Sequence, residues 1–300
     1  MEKQDMQALF KEKWRERREL LENQLLLELD KEHCIDKTLG EAMEYSLMAG
    51  GKRLRPILLM ASADAVGADG ANFVTTACAI EMIHTYSLIH DDLPAMDDDD
   101  YRRGKLTNHK VYGAGMATLA GDALLTLAFE VLLRQKNITG AQHLQVLYEF
   151  ATAAGMNGMV GGQAIDLESE GKRISMDRLK QMHLGKTGAL FRAAIRSGCI
   201  LGGGNGKQEK DLTEYAEQFG LAFQITDDIL DVVGEEAVIG KPVGSDLKNH
   251  KSTYVTLTSV EEAERLAKEA VAAAIHALRD FGAEADFLRG LVRALLDRHS

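Results

Sequence analysis

Proline and cysteine are both scarce in this sequence, three of each in 300 residues. The prolines, Pro56, Pro94 and Pro242, lie far apart, so long helices can run without interruption. The cysteines, Cys34, Cys78 and Cys199, are odd in number and lack metal-ligand spacing. That argues against a disulfide framework or a zinc site and points to buried, reduced thiols in a cytoplasmic protein. Positive charge is short as well: 35 Lys and Arg stand against 46 Asp and Glu, a formal net charge of −11. Such a chain is not expected to bind nucleic acid, which needs a basic face. Small anions respond to local charge, and the total leaves them open. No uninterrupted apolar run approaches the ~20 residues that span a bilayer. The charged start from Glu2 onward lacks the apolar core of a signal peptide. No stable membrane anchor is expected.

What the chain does contain is helix. Leu, Ala, Glu, Lys, Met and Arg are abundant, and these are strong helix formers. Apolar residues at helical spacing predict helices over about 6–30, 35–48, 53–66, 71–90, 118–134, 141–159, 176–199, 212–232, 253–257 and 260–296. The segments between them, 162–172, 202–211 and 234–250, are rich in glycine or charge but too short to be interdomain linkers. The expectation is one all-α domain over residues 1–300, a bundle of mostly antiparallel helices.

Chemistry concentrates in two acidic clusters. The first, Asp91-Asp92 then Asp97 to Asp100, places six carboxylates within ten residues at the end of an apolar helix. An acidic run is ordinarily a solvated face, but a run that ends a buried helix asks for a cation. Mg²⁺ characteristically shares carboxylates with substrate phosphates. Four residues separate Asp92 from Asp97, so one straight helix cannot align those carboxylates, and Pro94 is expected to bend the chain. The second cluster, Asp227-Asp228-Ile229-Leu230-Asp231, sets Asp227 and Asp231 at i and i+4 on one helix face. At ~100° per residue, His84, Ser87 and Asp91 fall on a common stripe. On sequence alone His84 reads first as an ordinary core histidine.

Cations form the counterpart. Gly50-Gly51-Lys52-Arg53-Leu54-Arg55 puts three of them at a helix N-terminus, where they oppose the macrodipole unless an anion binds. Arg102-Arg103, Lys186-Thr187 and Lys241 add more. Carboxylates for metal-bound phosphate, with separate cations for metal-free phosphate, imply two anionic ligands.

These segments resemble those of the trans-prenyltransferases, most closely the bacterial farnesyl diphosphate synthases. The similar stretches are 45–56, 82–97, 185–191, 223–231, 240–246 and 251–254, in the family's order. The resemblance implies the isoprenoid synthase fold, with helices around a central cavity. It also implies condensation of isopentenyl diphosphate with dimethylallyl or geranyl diphosphate, assisted by three Mg²⁺ ions, in a cytoplasmic homodimer. By resemblance, Asp91, Asp92 and Asp97 with Asp227, Asp228 and Asp231 form the metal-binding motifs. Arg102, Lys186, Thr187, Gln224 and Lys241 surround the allylic diphosphate, and Lys52, Arg55, His84 and Arg103 grip isopentenyl diphosphate. Asp91, Asp97, Lys186 and Asp227 carry the catalysis. Gln163 and Asp166 resemble a pair lining the cavity, although a structural role accounts for them equally. Tyr86, with Ser87 beside it, stands where the family sets product length, which implies a fifteen-carbon product. A geranylgeranyl diphosphate synthase, a terpene cyclase and a non-catalytic prenyltransferase subunit are the alternatives. The cyclase leaves Lys52, Arg55 and Arg103 without a ligand, and such subunits tend to lose aspartates that are intact here.

Overall fold

The structure, a computed structural model, describes residues 3–234 and 251–296. Among these residues it is helical apart from one antiparallel hairpin, β1 (Tyr101–Arg102) with β2 (Lys105–Leu106), which pairs Tyr101 with Leu106. The all-α expectation holds. Two compact units form, residues 1–60 with 69–147, and residues 61–68 with 148–300.

The first unit contains α1 (Lys3–Leu29), α2 (Lys37–Leu47), the start of α3 (Leu54–Ala65), α4 (Val74–Asp91), α5 (Asn108–Tyr112) and α6 (Ala114–Leu133). Its centre is α4, buried from Thr76 to Ile89 on nearly every side. α4 packs against α6, α1 and α2. A helix this apolar has no polar face to offer water, so neighbours must cover it. Arg53 fixes the approach of α3. Its side chain is fully buried, with Nη1 2.8 Å from Glu81 Oε1 on α4 and Nη2 donating to Leu47 O at 2.8 Å. Arg53 therefore neutralises Glu81 inside the fold and is not one of the cations facing an anion. α6 is the other strongly apolar helix of this unit. Among the described residues it is the one helix long and apolar enough to cross a membrane by length and composition. Asp122 and Glu130 interrupt it, and Ala117, Ala120, Gly121, Leu124, Ala128, Val131 and Leu132 are buried in the protein.

The second unit holds the rest of α7 (Gly140–Ala154), then α8 (Met159–Ser169), α9 (Met176–His183), a π-helical turn (Leu184–Gly188) and α10 (Ala189–Leu201). It continues with α11 (Gly206–Val233), α12 (Tyr254–Leu257), α13 (Val260–Ala277) and α14 (Asp286–Leu296). A capping box between Asn205 and Gln208 starts α11. That helix then packs along α13 and α10, with Phe219 edge-to-face on Phe191 at 5.2 Å. Three boundaries differ from expectation. The glycine-rich 162–172 is mostly helix α8, because the chain breaks earlier, between Ala154 and Met159. The 176–199 stretch is two helices around a π turn, and 260–296 divides at 278–285.

Candidate active site

In the first acidic cluster, α4 ends at Asp91, and the next residues turn back on themselves. The Asp97 amide donates to Asp91 O at 2.9 Å, and the Asp98 amide donates to Leu93 O at 3.2 Å. The bend at Pro94 thus brings Asp97 beside Asp91, which the sequence spacing alone forbids on a straight helix. Part of the run is paired within the fold. The β1–β2 hairpin returns Arg102 to Asp92, with Nε 2.7 and 2.9 Å from its two oxygens and Nη2 2.5 Å from Oδ1. Arg102 also reaches Asp99 at 3.7 Å, Lys110 pairs with Asp100 at 2.6 Å, and His109 lies 3.8 Å from Asp98. Asp92 is only 3% exposed, whereas Asp97 is exposed and Asp91 half-buried.

The basic residues of this unit surround His84. Gly51 has a φ of +120°, which favours glycine, and a Cβ there would sit 2.6 Å from the Arg103 guanidinium carbon. Arg103 then donates to Gly50 O. Burial pushes Arg55 down to about 10, with Arg103 adding to the shift and Glu81 opposing it. Burial also holds His84 well below its ordinary value, reinforced by Arg55, Arg103, Arg102 and Arg53. Arg53 is offset by Glu81 and Arg102 by Asp92, which leaves Arg55 and Arg103 as the cations near His84 that could serve an anionic ligand. Lys52 is exposed. Tyr86 is 5% exposed, edge-to-face with His90 at 5.6 Å. Burial and Asp91 push the Tyr86 phenol up to about 12. Ser87 donates to His84 O at 2.8 Å.

In the second unit, Asp227 is exposed and Asp231 half-buried, while Asp228 is 3% exposed. Asp228 accepts from Gln224 Nε2 at 3.1 Å and from the Tyr254 amide at 2.8 Å. Asp92 and Asp228, the second member of each Asp-Asp pair, are therefore the more buried ones, a difference the sequence does not reveal. Gln224 Oε1 in turn accepts from Thr187 Oγ1 at 3.1 Å. Lys186 Nζ lies 2.6 Å from Asp166 Oδ2. Burial raises the Asp166 carboxyl, but Lys186, followed by Lys251 and His183, outweighs burial and holds it below the ordinary range. Gln163 shares α8 with Asp166, and its amide nitrogen and oxygen are buried without hydrogen-bond partners among the described residues. Lys241 lies outside the described residues.

Sequence reasoning missed the residues that place these groups. A Cβ on Gly162 would fall 2.0 Å from Lys186 N, and one on Gly185 would fall 2.9 Å from Gly158 O. Backbone-to-backbone approach of α8 and the π turn is what seats Lys186 opposite Asp166. The only trace in the sequence is the run of glycines at 155, 158, 161 and 162, which reads equally well as a loop.

Comparison with known proteins agrees with this arrangement. The sequence model of one family, described as Polyprenyl synthetase, matches residues 36–289. A farnesyl diphosphate synthase of Geobacillus stearothermophilus is 52% identical over 241 residues, covering 79% of this chain and 81% of that protein. A geranylgeranyl diphosphate synthase of Cyanophora paradoxa is 50% identical over 77% of this chain and 79% of its own length. Among solved structures, the geranylgeranyl pyrophosphate synthetase of Pyrococcus horikoshii superposes with a TM-score of 0.89 at 33% identity, covering 97% of this chain and 98% of that one. The fold is that of the isoprenyl diphosphate synthases. Family match, near-complete coverage and two intact aspartate motifs lead to one conclusion: this chain belongs to the polyprenyl synthetase family and is a prenyltransferase.

Proposed function

We propose that the chain condenses isopentenyl diphosphate head to tail with dimethylallyl diphosphate and then with geranyl diphosphate, yielding farnesyl diphosphate. One observation carries this reading. The cations Arg55 and Arg103, whose charges help hold His84 below its ordinary value, are a different set of groups from the carboxylates of half-buried Asp91 and exposed Asp97. Two phosphate-binding chemistries call for two diphosphates, where a cyclase needs one.

The carboxylate arrangement fits Mg²⁺. Among the described residues no three His, Cys, Asp or Glu side chains converge to hold a metal by themselves. Mg²⁺ is commonly held by one or two carboxylates, with substrate phosphates and water completing the shell. Asp91 with Asp97, and Asp227 with Asp231, would hold it, three ions in all by family expectation. Asp92 and Asp228 keep Arg102, Gln224 and Tyr254 in place. When bound, Mg²⁺ supplies charge stabilisation to the departing diphosphate. By resemblance, Lys186, Arg102 and Lys241 add positive charge to the allylic diphosphate. The oxygens of Thr187 and Gln224 offer dipoles to the allylic cation. The isopentenyl double bond attacks that cation, and the proton then lost leaves with diphosphate.

The proposed condensation calls on both aspartate motifs, each by its resemblance to the family. Exposed Leu119 (56%) and Leu133 (61%) on α6, with Leu144 and Tyr148 on α7, support homodimer formation. The protein works in the cytoplasm. The buried Tyr86 ring supports a fifteen-carbon limit. Incubating the purified chain with dimethylallyl and labelled isopentenyl diphosphates plus Mg²⁺, followed by chromatographic sizing, tests the reading. A fifteen-carbon diphosphate supports it, and longer chains are expected from Tyr86→Ala. A twenty-carbon product from the wild type would shift the assignment to geranylgeranyl synthesis. A hydrocarbon product, or no activity of the chain alone, would overturn it.

A further inference from the structure

The π turn at Leu184–Gly188 is the least ordinary piece of backbone near the proposed chemistry. Such a turn holds one residue more than an α-helical turn, and these turns occur frequently at functional sites. If it relaxed into α-helix, the residues after it would rotate by ~100° per residue of phase. Lys186 and Thr187 sit inside it, so their direction depends on what fixes its two ends.

The C-terminal end is fixed by Gly188, whose Cα lies 3.3 Å from where a Gly220 Cβ would be, and by Thr187 donating to Gln224. The N-terminal end is His183, the last residue of α9. Its ring lies 5.6 Å from that of Tyr254, tilted by 44°. Tyr254 is 1% exposed and belongs to a cluster with Leu179 and Met182 of α9 and Ile225 and Ile229 of α11. Its amide donates to Asp228, which also accepts from Gln224. A closed circuit results. It runs from His183 through the Tyr254 ring to Asp228, on to Gln224 and Thr187, and back along the π turn. His183 Nδ1 and the Tyr254 hydroxyl are both buried without a hydrogen-bond partner among the described residues, so the pair meets through ring faces.

We propose that His183 and Tyr254 are a positioning pair, a ring clamp that holds the π turn in phase so that Lys186 and Thr187 face the same diphosphate as Asp227. The pair touches no reacting atom. It rests on the reading above only for the identity of that ligand. The clamp also makes a distinction between ring and polar atom: the rings carry the function, and the buried polar atoms do not.

The test uses the full chain with His183→Ala, His183→Phe, Tyr254→Leu and Tyr254→Phe. Inorganic diphosphate with Mg²⁺ is titrated calorimetrically, and kcat and KM are measured with geranyl and isopentenyl diphosphates well below each melting temperature. His183→Ala and Tyr254→Leu are each expected to lower kcat by at least about tenfold, through misplacement of Lys186. Both weaken the binding of inorganic diphosphate and leave KM for isopentenyl diphosphate within about twofold, because that ligand does not depend on the π turn. The double variant is no worse than either single one, since both break the same contact. His183→Phe restores most of the loss, and Tyr254→Phe behaves as wild type. Should His183→Ala fail to fold, His183→Phe and Tyr254→Leu carry the comparison. Unchanged diphosphate binding and kcat in Tyr254→Leu would overturn the proposal, as would a His183→Phe variant no better than Tyr254→Leu. The diphosphate titration requires no turnover. A wild type that makes no prenyl diphosphate therefore defeats the functional reading without deciding this one.

Discussion

Replacing Gly162 with alanine adds one methyl group where α8 crosses the π turn. Its carbon would lie 2.0 Å from Lys186 N, 2.6 Å from Gly185 C and 2.6 Å from Lys186 Cα, all backbone atoms with no rotamer to yield. Ordinary contact begins at 3.4 Å, so the two segments must separate by about 1.4 Å, the difference between 3.4 and 2.0. Overpacking of this kind costs about 1–3 kcal/mol of stability. The kinetic effect is larger relative to the change made. Displacing a positioning group by about 1 Å can cost on the order of 10²-fold in rate, roughly 2.7 kcal/mol of barrier. Gly162→Ala is therefore expected to melt lower and to lose about 100-fold in kcat with geranyl diphosphate, while KM for isopentenyl diphosphate changes little. Gly115→Ala is the control, because a Cβ there meets nothing within 4 Å. It should be neutral or slightly stabilising, since alanine is the better helix former by up to about 1 kcal/mol. Steady-state kinetics well below the melting temperature decide the matter. Wild-type kcat in Gly162→Ala would refute the claim that this crossing seats Lys186.

Three further outcomes are expected. Arg53→Met leaves Glu81 charged and buried, which should cost about 3–5 kcal/mol in denaturant unfolding, and adding Glu81→Met should recover most of it. Asp97→Asn, at an exposed carboxylate, should leave the unfolding midpoint nearly unchanged and lower activity by on the order of 10²-fold or more. Asp92→Asn should cost up to about 3 kcal/mol, because it undoes the Arg102 pair. His84 and His183 are both held below the ordinary histidine value by burial, His183 at about 4. The unfolded chain then binds protons that the native one refuses, so their stability contribution is complete above pH ~6.5 and is lost as pH falls. For His183 the loss runs from pH ~6.5 to about 4 and amounts to roughly 3 kcal/mol, at 1.36 kcal/mol per pH unit. Urea unfolding of His183→Phe across this range should show a shallower slope than wild type.

Helical class, the position of most helices and the existence of two acidic clusters were legible in the sequence by itself. Helix periodicity is a local property, and Asp91, Asp97, Asp227 and the Arg102-Arg103 pair are residue types that state their preference for charge wherever they sit. Tertiary structure alone decided which member of each Asp-Asp pair turns inward. It also decided that Arg53 belongs to Glu81, that Gly51 lies against Arg103, and that 176–199 contains a π turn. Each of these depends on a contact between residues far apart in the chain. A buried charge is assigned by whichever partner shares its dry environment, and a glycine is required only where another backbone arrives; neither event leaves a periodic mark in the sequence.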